Sequence, residues 1–438
     1  MSGEKVSRRR FCGDLAKLAA VGALAPPGLA SVAAVAPSNP RSGDDAFVPW
    51  SSGCLDLHHI ATGRGSALLA ICPDGTTLMV DAGAIYDSLK YTVAPMPDAS
   101  RRPGEWVARY AARQLRATGT TGIDHFLVSH LHADHIGQWT PELPTSARGN
   151  YQLTGIMDVA EQIPIRKLVD RGYPDYGYPS ANSFAVYPKD KLTFDNYRKY
   201  VAHRDRHAQV TERFIPGTTR QFPLVHAPEK FPQFHIRNLA ANGEVWTGDD
   251  EKTAHLFPAV SYGNAARLPT ENMCSTAIRI QHGRFSYYTG GDLPNEVVGG
   301  YGDWPWQDIA TPVARAAGPV SVAVANHHGY VDSMSPDCVR ALQPRVFVIM
   351  GWDSAHPTIR PLYNMLSRDL YPGDRDIFAT AVKAENLIAT RDLAKLTSRH
   401  GHVVIRVPPD GASFRVQILD PSNEQDRVLA THGPYPCT

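Results

Sequence analysis

Net charge, long apolar runs and paired cysteines are all scarce in this sequence, and each scarcity excludes a class of protein. The 44 Lys and Arg residues are balanced by 43 Asp and Glu residues, which leaves a net charge of +1 at pH 7. This charge gives no support to nucleic acid or an anionic membrane surface as a partner. No run of about 20 apolar residues is free of charges, so we expect no stable membrane span in the mature chain.

The six cysteines form no CxxC motif. Cys12 lies in an N-terminal segment that we expect to be removed, which leaves an odd number of thiols. A cysteine zinc site and a complete set of disulfides are therefore both disfavoured. We expect most of the remaining thiols to be buried as small hydrophobic side chains: Cys54, Cys72, Cys274, Cys338 and Cys437.

The first 36 residues have the composition of an export signal. An arginine-rich start at residues 7–11 precedes an Ala-rich, mildly apolar run, and small residues follow at positions 31–36. The pattern resembles a twin-arginine signal, with cleavage after Ala33 or Ala36; a disordered basic terminus is the alternative. The resemblance implies export of the folded protein by the twin-arginine machinery to the periplasm or the extracellular space.

Beyond residues 1–36, the sequence predicts a short linker followed by one catalytic domain. Residues 37–50 hold three prolines among Ser, Asp and Gly, which is typical of a linker, and residues 426–438 are expected to be a tail. The domain at 51–425 alternates strand-like and helix-like runs. Residues 140–271 interrupt it with Tyr, Pro and charge over a stretch too long for a loop, so we predict an insertion or lid there.

Short apolar runs predict strands, and helical spacings predict helices, on both sides of that segment. Strands are expected at residues 55–60, 67–72, 77–80, 126–128, 275–281, 285–289, 320–325, 346–350 and 402–407. Helices are expected at residues 105–118, 194–214, 336–342 and 361–370. Strands with helices between them predict an α/β fold in which helices cover the sheets.

A basic stretch lies within the segment 140–271. Residues 189–220 carry eight Lys or Arg residues against four Asp or Glu residues, with His203 and His207 among them. One interpretation is the solvated basic face of a helix. The other is a patch that meets an anionic substrate.

Residues 130–135 carry the strongest chemical signal in the chain. His130, His132, Asp134 and His135 place three imidazoles and a carboxylate within six residues, directly after the apolar run 126–128. A turn of this kind can direct two ligands to one metal ion and two to a second. Imidazole and carboxylate suit Zn²⁺, which we favour, with Mn²⁺ or Fe²⁺ as alternatives. We therefore expect one or two divalent metal ions as the cofactor.

This HxHxDH pattern after a strand resembles the signature of the metallo-β-lactamase superfamily, and other landmarks occur in that superfamily's order. Asp81 ends a run similar to the first motif, Asp292 resembles the carboxylate that bridges two metals, and His327-His328 resembles the last motif. The resemblance implies a four-layer αββα sandwich of the metallo-β-lactamase type with a long insertion. It also implies that Asp81 orients the metal-binding loop, and that His327 or His328 completes the second metal site.

Within the superfamily, the pattern is similar to the soluble domain of ComEC-type DNA-uptake proteins and their stand-alone secreted relatives. The similarity covers about residues 50–420 and is weakest across 140–271. Two features depart from that subfamily. Residues 353–355 lack the usual Asn and Tyr before His356, and Tyr330 replaces the small residue that usually follows the last motif.

One ligand of the superfamily is missing. A third histidine for the first metal would stand roughly 20 residues before the bridging carboxylate, where this chain has Asn272, an amide and a poor Zn²⁺ ligand. The first site would then hold His130, His132 and Asp292. The second site would hold Asp134, His135, Asp292 and His327 or His328. Three histidines of the expected insertion are alternatives for the missing ligand: His226, His235 and His255.

Together these residues predict a metal-dependent hydrolase that uses a metal-bound hydroxide. Asp134 would ligate the metal and orient the attacking water, and His356 would either protonate the leaving group or only hold a loop. The ComEC-like pattern and the basic stretch favour a phosphodiester or another anionic ester as the substrate. Two alternatives stay open: hydrolysis of a lactone, β-lactam or other acyl bond, and a non-catalytic metal-binding protein.

Overall fold

The computed structural model describes residues 46–86, 90–179, 188–259, 268–297 and 304–437. Every described residue belongs to one compact unit, Pro40–Thr438. The expected export signal and most of the expected linker therefore lie outside the described residues. Within the described part, no helix is long and apolar enough to cross a membrane.

Strands and helices alternate along most of the described chain. The strands are β1 (Leu55–His59), β2 (Ala67–Ile71), β3 (Thr77–Ala82), β4 (Ile123–Leu127), β5 (Ile165–Asp170), β6 (Val210–Arg213), β7 (Phe234–Ala241), β8 (Glu244–Trp246), β9 (Thr253–His255), β10 (Ala277–His282), β11 (Phe285–Thr289), β12 (Val322–Val324), β13 (Val346–Ile349), β14 (Asp376–Ala379), β15 (His402–Val407), β16 (Ser413–Leu419) and β17 (Val428–Pro436). The helices are α1 (Pro103–Leu115), α2 (Ala133–Ile136), α3 (Ile156–Gln162), α4 (Pro188–Arg206), α5 (Ala310–Ala317), α6 (Pro336–Leu342), α7 (Ile359–Leu366) and α8 (Ala384–Ala389).

The strands form two mixed sheets. The first sheet has nine strands in the order β17-β16-β15-β1-β2-β3-β4-β5-β6, and the second has eight in the order β14-β13-β12-β11-β10-β7-β8-β9. In the first sheet, β3 to β6 are parallel neighbours. In the second sheet, β11 to β14 are parallel neighbours. Each sheet therefore has one half in which successive strands end at the same edge.

Alternating side chains give each sheet two packing faces. In β13, Val346 and Val348 belong to the core between the sheets, whereas Phe347 and Ile349 pack with residues of α5, α6 and α7. The outer face of the first sheet packs in the same way on α1, α3 and α4. The prediction of a four-layer αββα sandwich is confirmed, and burial of these apolar faces is its main source of stability.

The start of α1 illustrates how local sequence sets an element boundary. Pro103 stands at the first helical position, where an N–H would have no partner within the helix. The Glu105 carboxylate accepts a hydrogen bond from Arg102 N over 3.0 Å, which satisfies a donor at the helix start. The expected helix at 105–118 is thus found two residues earlier, with a 3₁₀ turn at its end.

The segment 140–271, which was expected to be an insertion or lid, contributes strands to both sheets. This segment supplies β5 and β6 to the first sheet and β7, β8 and β9 to the second. The sequence did not predict these strands because charged side chains, such as Arg166 and Lys167 in β5, interrupt their apolar pattern. The helix expected at 194–214 also ends early, since Ala208 adopts a φ of 52° and β6 follows.

Both ends of the described chain pack against the first sheet. The expected tail at 426–438 contains β17, which pairs with β16 in antiparallel register, and Tyr435 is buried. From the expected linker, Phe47 is buried against Val404 and Leu419. The described residues of both segments therefore belong to the same compact unit as residues 51–425.

Candidate metal centre

Strand ends from both sheets meet at one edge of the sandwich. Asp81 lies at the end of β3, and His130 follows β4, its parallel neighbour. In the second sheet, Asp292 follows β11 and His327 follows β12, and these two strands are also parallel. Because parallel strands present their carboxyl ends at one edge, the fold gathers these side chains from distant parts of the chain.

Asp134, His135, Asp292 and His328 form a compact buried group whose potential ligand atoms all lie within 4.8 Å of one another. The Nε2 atom of His135 is 3.5 Å from Asp134 Oδ2 and 3.2 Å from Asp292 Oδ1. The Nε2 atom of His328 is 3.0 Å from Asp134 Oδ2 and 3.6 Å from Asp292 Oδ2. Two carboxylates and two imidazoles therefore converge on one point.

These spacings fit a divalent cation. Two ligand atoms that each lie about 2.1 Å from a tetrahedral Zn²⁺ are about 3.4 Å apart, which falls among the distances within this group. His135 Nε2 is buried and, within the described chain, accepts or donates no hydrogen bond. A buried lone pair without a donor suits a metal ion. The mixed nitrogen and oxygen set fits Zn²⁺, Mn²⁺ or Fe²⁺ alike.

The electrostatics of the group also favour a cation. Burial by itself raises the pKa of Asp134 and of Asp292, but the facing imidazoles, His135 above all, hold both pKa values well below their usual range. Both carboxylates are consequently ionised at neutral pH. Without a metal ion, protonated imidazoles supply the positive charge beside these two buried carboxylates, since the pKa of His135 and of His328 is raised, and a divalent ion could take over that role.

Asp81 orients the loop that carries these ligands. Its Oδ1 accepts a hydrogen bond from Ser129 N over 2.7 Å, and its Oδ2 accepts from Ser129 Oγ over 2.6 Å. His135 Nδ1 donates to the same Oδ2 over 2.7 Å, which leaves the lone pair of His135 on Nε2. The φ of Asp81 is 60°, a left-handed conformation that is costly for a residue with a side chain.

The backbone of Asp134 is packed tightly against the turn after β3. Asp134 O accepts a hydrogen bond from Ser66 N over 2.9 Å. A Cβ atom at Gly83 would lie 1.8 Å from that same oxygen, so a larger residue cannot replace this glycine without moving the ligand loop. Glycine is therefore required at position 83, because the backbone of Asp134 approaches it closely.

His130 and His132 lie next to the compact group. His130 Nε2 is 3.1 Å from His132 Nδ1 and 3.6 Å from Asp292 Oδ2. The ring of His130 is buried, whereas that of His132 is half-buried. Asp292 is thus adjacent to His130 on one side and to His135 on the other, as a carboxylate shared by two metal sites must be.

His327 and Asn272 meet at the same carboxylate. His327 Nε2 is 3.7 Å from Asp292 Oδ2 and 3.4 Å from Asn272 Nδ2. The other ring nitrogen of His327, Nδ1, donates to Asp332 Oδ1 over 2.7 Å. Asp332 was missed by sequence reasoning, although its position five residues after a motif histidine is a usable signal.

His356 and Trp352 pack on His328 from the loop after β13. The rings of His356 and His328 stack with centroids 4.5 Å apart, and His356 Nδ1 accepts a hydrogen bond from Asp353 N over 3.3 Å. Burial, together with the neighbouring charges of His328 and His327, holds the pKa of His356 well below its usual range. Trp352, which the sequence did not single out, donates from Nε1 to Asp134 Oδ2 over 3.1 Å.

A buried ion pair supports the loop from the other side. Glu271 Oε1 accepts hydrogen bonds from Leu131 N over 2.8 Å and from Arg171 Nε over 2.7 Å. Both charged side chains are buried, and a second bond joins Arg171 Nη2 to Glu271 Oε2. Leu131 stands between His130 and His132, so this pair fixes the backbone that carries both. Nothing in the spacing of Arg171 and Glu271 signals the contact.

The three alternative histidines contact other parts of the protein. His226 Nε2 lies 3.3 Å from Oδ2 of Asp124, a residue of strand β4 in the first sheet. His235 and His255 are exposed on β7 and β9. The structure brings none of these three into the compact group.

Comparison with known proteins finds no matching family model and no matching curated protein. Among solved structures, the chain is similar to CmlA, a diiron beta-hydroxylase from Streptomyces venezuelae, with a TM-score of 0.37 and 13% identity over 83% of this chain. It spans 55% of that protein's length. It is also similar to a diphosphatase from the PhnP family, with a TM-score of 0.28 and 11% identity, over 67% of this chain and 85% of the other. The centre itself is a buried cluster of histidines and aspartates that can hold metal ions.

Proposed function

We propose that the protein is a metal-dependent hydrolase of the metallo-β-lactamase superfamily that acts on a phosphodiester or another anionic ester. The observation that carries this proposal is the buried group of Asp134, His135, Asp292 and His328, with ligand atoms within 4.8 Å of one another. The order of these residues along the chain matches the superfamily's motifs. Their convergence at one edge of the αββα sandwich supports the proposal.

A divalent ion bound there would lower the pKa of a coordinated water molecule and polarise the bond under attack. The residues of this chain would hold that ion and fix the orientation of its ligands. Asp134 Oδ2 accepts a hydrogen bond from Trp352 Nε1 and lies 3.0 Å from His328 Nε2, so its carboxylate has one fixed orientation. Asp292 lies within 4 Å of four imidazoles and joins both halves of the centre. His356 stacks on His328 and fixes the plane of that ring.

An anionic substrate is favoured by cationic side chains between β1 and β2 and on the loop after β3. A cavity of about 350 Å³ is lined by Arg64, Tyr86, Arg101 and Arg102 among others. Its wall is tied to the metal-binding loop, because Tyr86 N donates to Gln138 Oε1 over 2.7 Å. Arg102 is bound to the buried Asp158. Arg64 is buried and donates to Ile85 O over 3.4 Å, so the exposed Arg101 is the better candidate for contact with a phosphate.

The basic stretch at 189–220 contributes less than its composition indicates. Arg204 is buried and donates to Val210 O over 2.8 Å, so it is structural. Arg213 and Arg220 are paired with acidic side chains. Arg198 and Lys199 remain on α4, where they line a shallow surface depression with Trp139, three residues after the metal-binding helix α2. We propose these two cations as the part of the stretch that contacts a substrate.

We further propose that the chain is a stand-alone, ComEC-like member exported by the twin-arginine route to the periplasm or beyond. The motif order and the arginine-rich start support this. Cell fractionation of the full chain, with the arginine pair at residues 8–9 replaced by lysines as the comparison, tests the route. Retention of the variant in the cytoplasm supports it, and unchanged export contradicts it.

Turnover of defined substrates tests the reaction. The full chain, expressed with its N-terminal segment, should contain a divalent metal and hydrolyse bis(4-nitrophenyl) phosphate. His132→Ala combined with His135→Ala should abolish both metal content and turnover while the protein stays folded, whereas His255→Ala on exposed β9 should change neither. Hydrolysis of a chromogenic lactam or a lactone but not of the phosphodiester would move the chain to the acyl hydrolases. Metal without any turnover would identify a metal-binding protein.

A further inference from the structure

We propose that His327 and His328, adjacent in the chain, serve two different metal ions. His328 completes the group with Asp134 and His135, while His327 supplies the imidazole that the first site lacks at Asn272. The inference rests on the proposed function in one respect, since both require metal at Asp292. It goes further by assigning a third histidine ligand to the metal site of His130 and His132. It also assigns Asp332 the role of orienting that histidine.

The position of His327 carries the first step. Asn272 stands where the superfamily places the missing ligand, and its Nδ2 lies 3.4 Å from His327 Nε2. The ring of His327 therefore lies next to the position from which that histidine would coordinate the metal ion. His327 Nε2 is 3.7 Å from Asp292 Oδ2, and His130 Nε2 is 3.6 Å from the same oxygen. Both distances are close to the spacing of about 3.4 Å between two ligands of one tetrahedral ion.

Hydrogen bonding prepares both rings as ligands. The Nδ1 atom of His327 donates to Asp332 Oδ1 over 2.7 Å, and the Nδ1 atom of His328 donates to Met350 O over 2.9 Å. In each ring the lone pair is consequently on Nε2, which faces Asp292. Histidines that bind metals usually donate their other nitrogen to a carboxylate or a carbonyl in this way. A histidine with a merely structural role needs no such arrangement.

The backbone separates the two rings. His327 and His328 have φ values of 46° and 54°, so two successive residues with side chains adopt left-handed conformations. Such a conformation is costly and is retained where the surroundings require it, commonly at functional sites. Here it places the ring centroids 6.0 Å apart with planes inclined by 58°. The rings thus approach Asp292 from different directions, as two separate sites demand.

Metal stoichiometry tests the division of ligands. Purified wild-type protein, dialysed against a metal buffer containing Co²⁺, should bind two equivalents by mass spectrometry of the metal. His327→Ala should bind one, and should keep the visible absorption of the ion held by Asp134 and His135. His328→Ala should lose that absorption. Asp332→Asn should lower the affinity for the ion held by His130, His132 and His327 on the order of 10-fold. The affinity for the other ion should not change.

A rescue variant separates a lost ligand from local damage. Removal of the His327 ring leaves room beside residue 272, so Asn272→His in the His327→Ala background should restore the second equivalent. His235→Ala, on the exposed part of β7, is the matched control and should bind two. Two equivalents in folded His327→Ala would overturn the inference, as would one equivalent in the wild type. Absence of metal from the wild type would instead overturn the proposed function itself.

Discussion

The indole Nε1 of Trp352 donates a hydrogen bond to Oδ2 of Asp134 over 3.1 Å. The backbone oxygen of Trp352 in turn accepts a hydrogen bond from Val93 N over 2.8 Å. The segment after β3 therefore contacts the residue that carries the indole, and the indole binds one oxygen of a carboxylate in the candidate metal centre. Trp352 is a positioning residue, because groups that hydrogen-bond to ligands set their orientation and basicity.

Replacement of Trp352 by Phe should weaken metal binding on the order of 10-fold while the fold persists. The phenyl ring preserves most of the apolar contact but cannot donate to Asp134. Competition for Zn²⁺ with a chromophoric chelator measures the change. Trp246→Phe is the matched control, since that indole donates to Asp250 O, away from the centre. Equal weakening in both variants would show that the Asp134 contact is not the cause.

The buried pair of Arg171 and Glu271 should be needed for both stability and metal binding. Glu271→Gln leaves the buried guanidinium without its counter-charge, which should lower the free energy of unfolding by about 3 kcal/mol. It also removes the charged acceptor of Leu131 N, so the affinity of the site with His130 and His132 should fall. Urea denaturation and Zn²⁺ competition measure the two effects.

The exposed pair of Arg220 and Glu251 provides the comparison. Its side chains are 80% and 38% exposed, so Glu251→Gln should cost at most about 1 kcal/mol and leave metal affinity unchanged. If Glu271→Gln is as mild as Glu251→Gln, the buried pair does not support the loop.

Removal of metal should destabilise the protein. A ligand that binds only the folded state, present at 1,000 times its Kd, contributes about 4 kcal/mol. Treatment with EDTA should therefore lower the midpoint of thermal unfolding, and added Zn²⁺ should restore it. The variant that combines His132→Ala with His135→Ala should not respond to EDTA. An identical midpoint for treated and untreated wild type would contradict the metal centre.

Acid should destabilise the fold through buried neutral histidines. Burial lowers the pKa of His59 to about 4, although a hydrogen bond to Val403 O opposes the shift, and burial lowers that of His402 to about 3. Below the ordinary pKa of 6.5 the unfolded chain binds protons that the folded chain does not. Stability should therefore fall as pH drops from about 6.5 towards 4, by about 1.4 kcal/mol per pH unit for each such histidine.

His59→Gln tests that dependence. The neutral tautomer of His59 donates from Nδ1 to Val403 O and accepts at Nε2 from Tyr287 Oη, and glutamine retains hydrogen-bonding capacity without titrating. The slope of unfolding free energy against pH between 6 and 5 should decrease in this variant. The exposed His255→Gln should keep the wild-type slope. An unchanged slope in His59→Gln would show that His59 is not the titrating group.

The candidate metal ligands could be proposed from sequence because their chemistry is concentrated in short motifs. His130, His132, Asp134 and His135 are within six residues, and the resemblance supplied the distant partners Asp292 and His327-His328. The structure brings these residues together at one sheet edge. It also separates His327 from His328, a distinction that depends on two left-handed backbone conformations that the sequence does not reveal.

Supporting contacts and charged strands were harder to predict. Trp352 and Glu271 contact the centre through hydrogen bonds between distant segments, and no periodicity encodes such pairs. Strands β5 and β7 were missed for a different reason. Their exposed faces carry Arg, Lys and His, so their apolar residues do not form the continuous run expected for a buried strand.

Anomalous diffraction at the zinc absorption edge, from crystals of the full chain grown with Zn²⁺, tests the central claim most directly. We expect a peak enclosed by Asp134, His135, Asp292 and His328, about 2.0–2.2 Å from their ligand atoms. A second peak is expected next to His130, His132 and His327. Crystals that take up zinc elsewhere, with no peak among those four residues, would contradict the account.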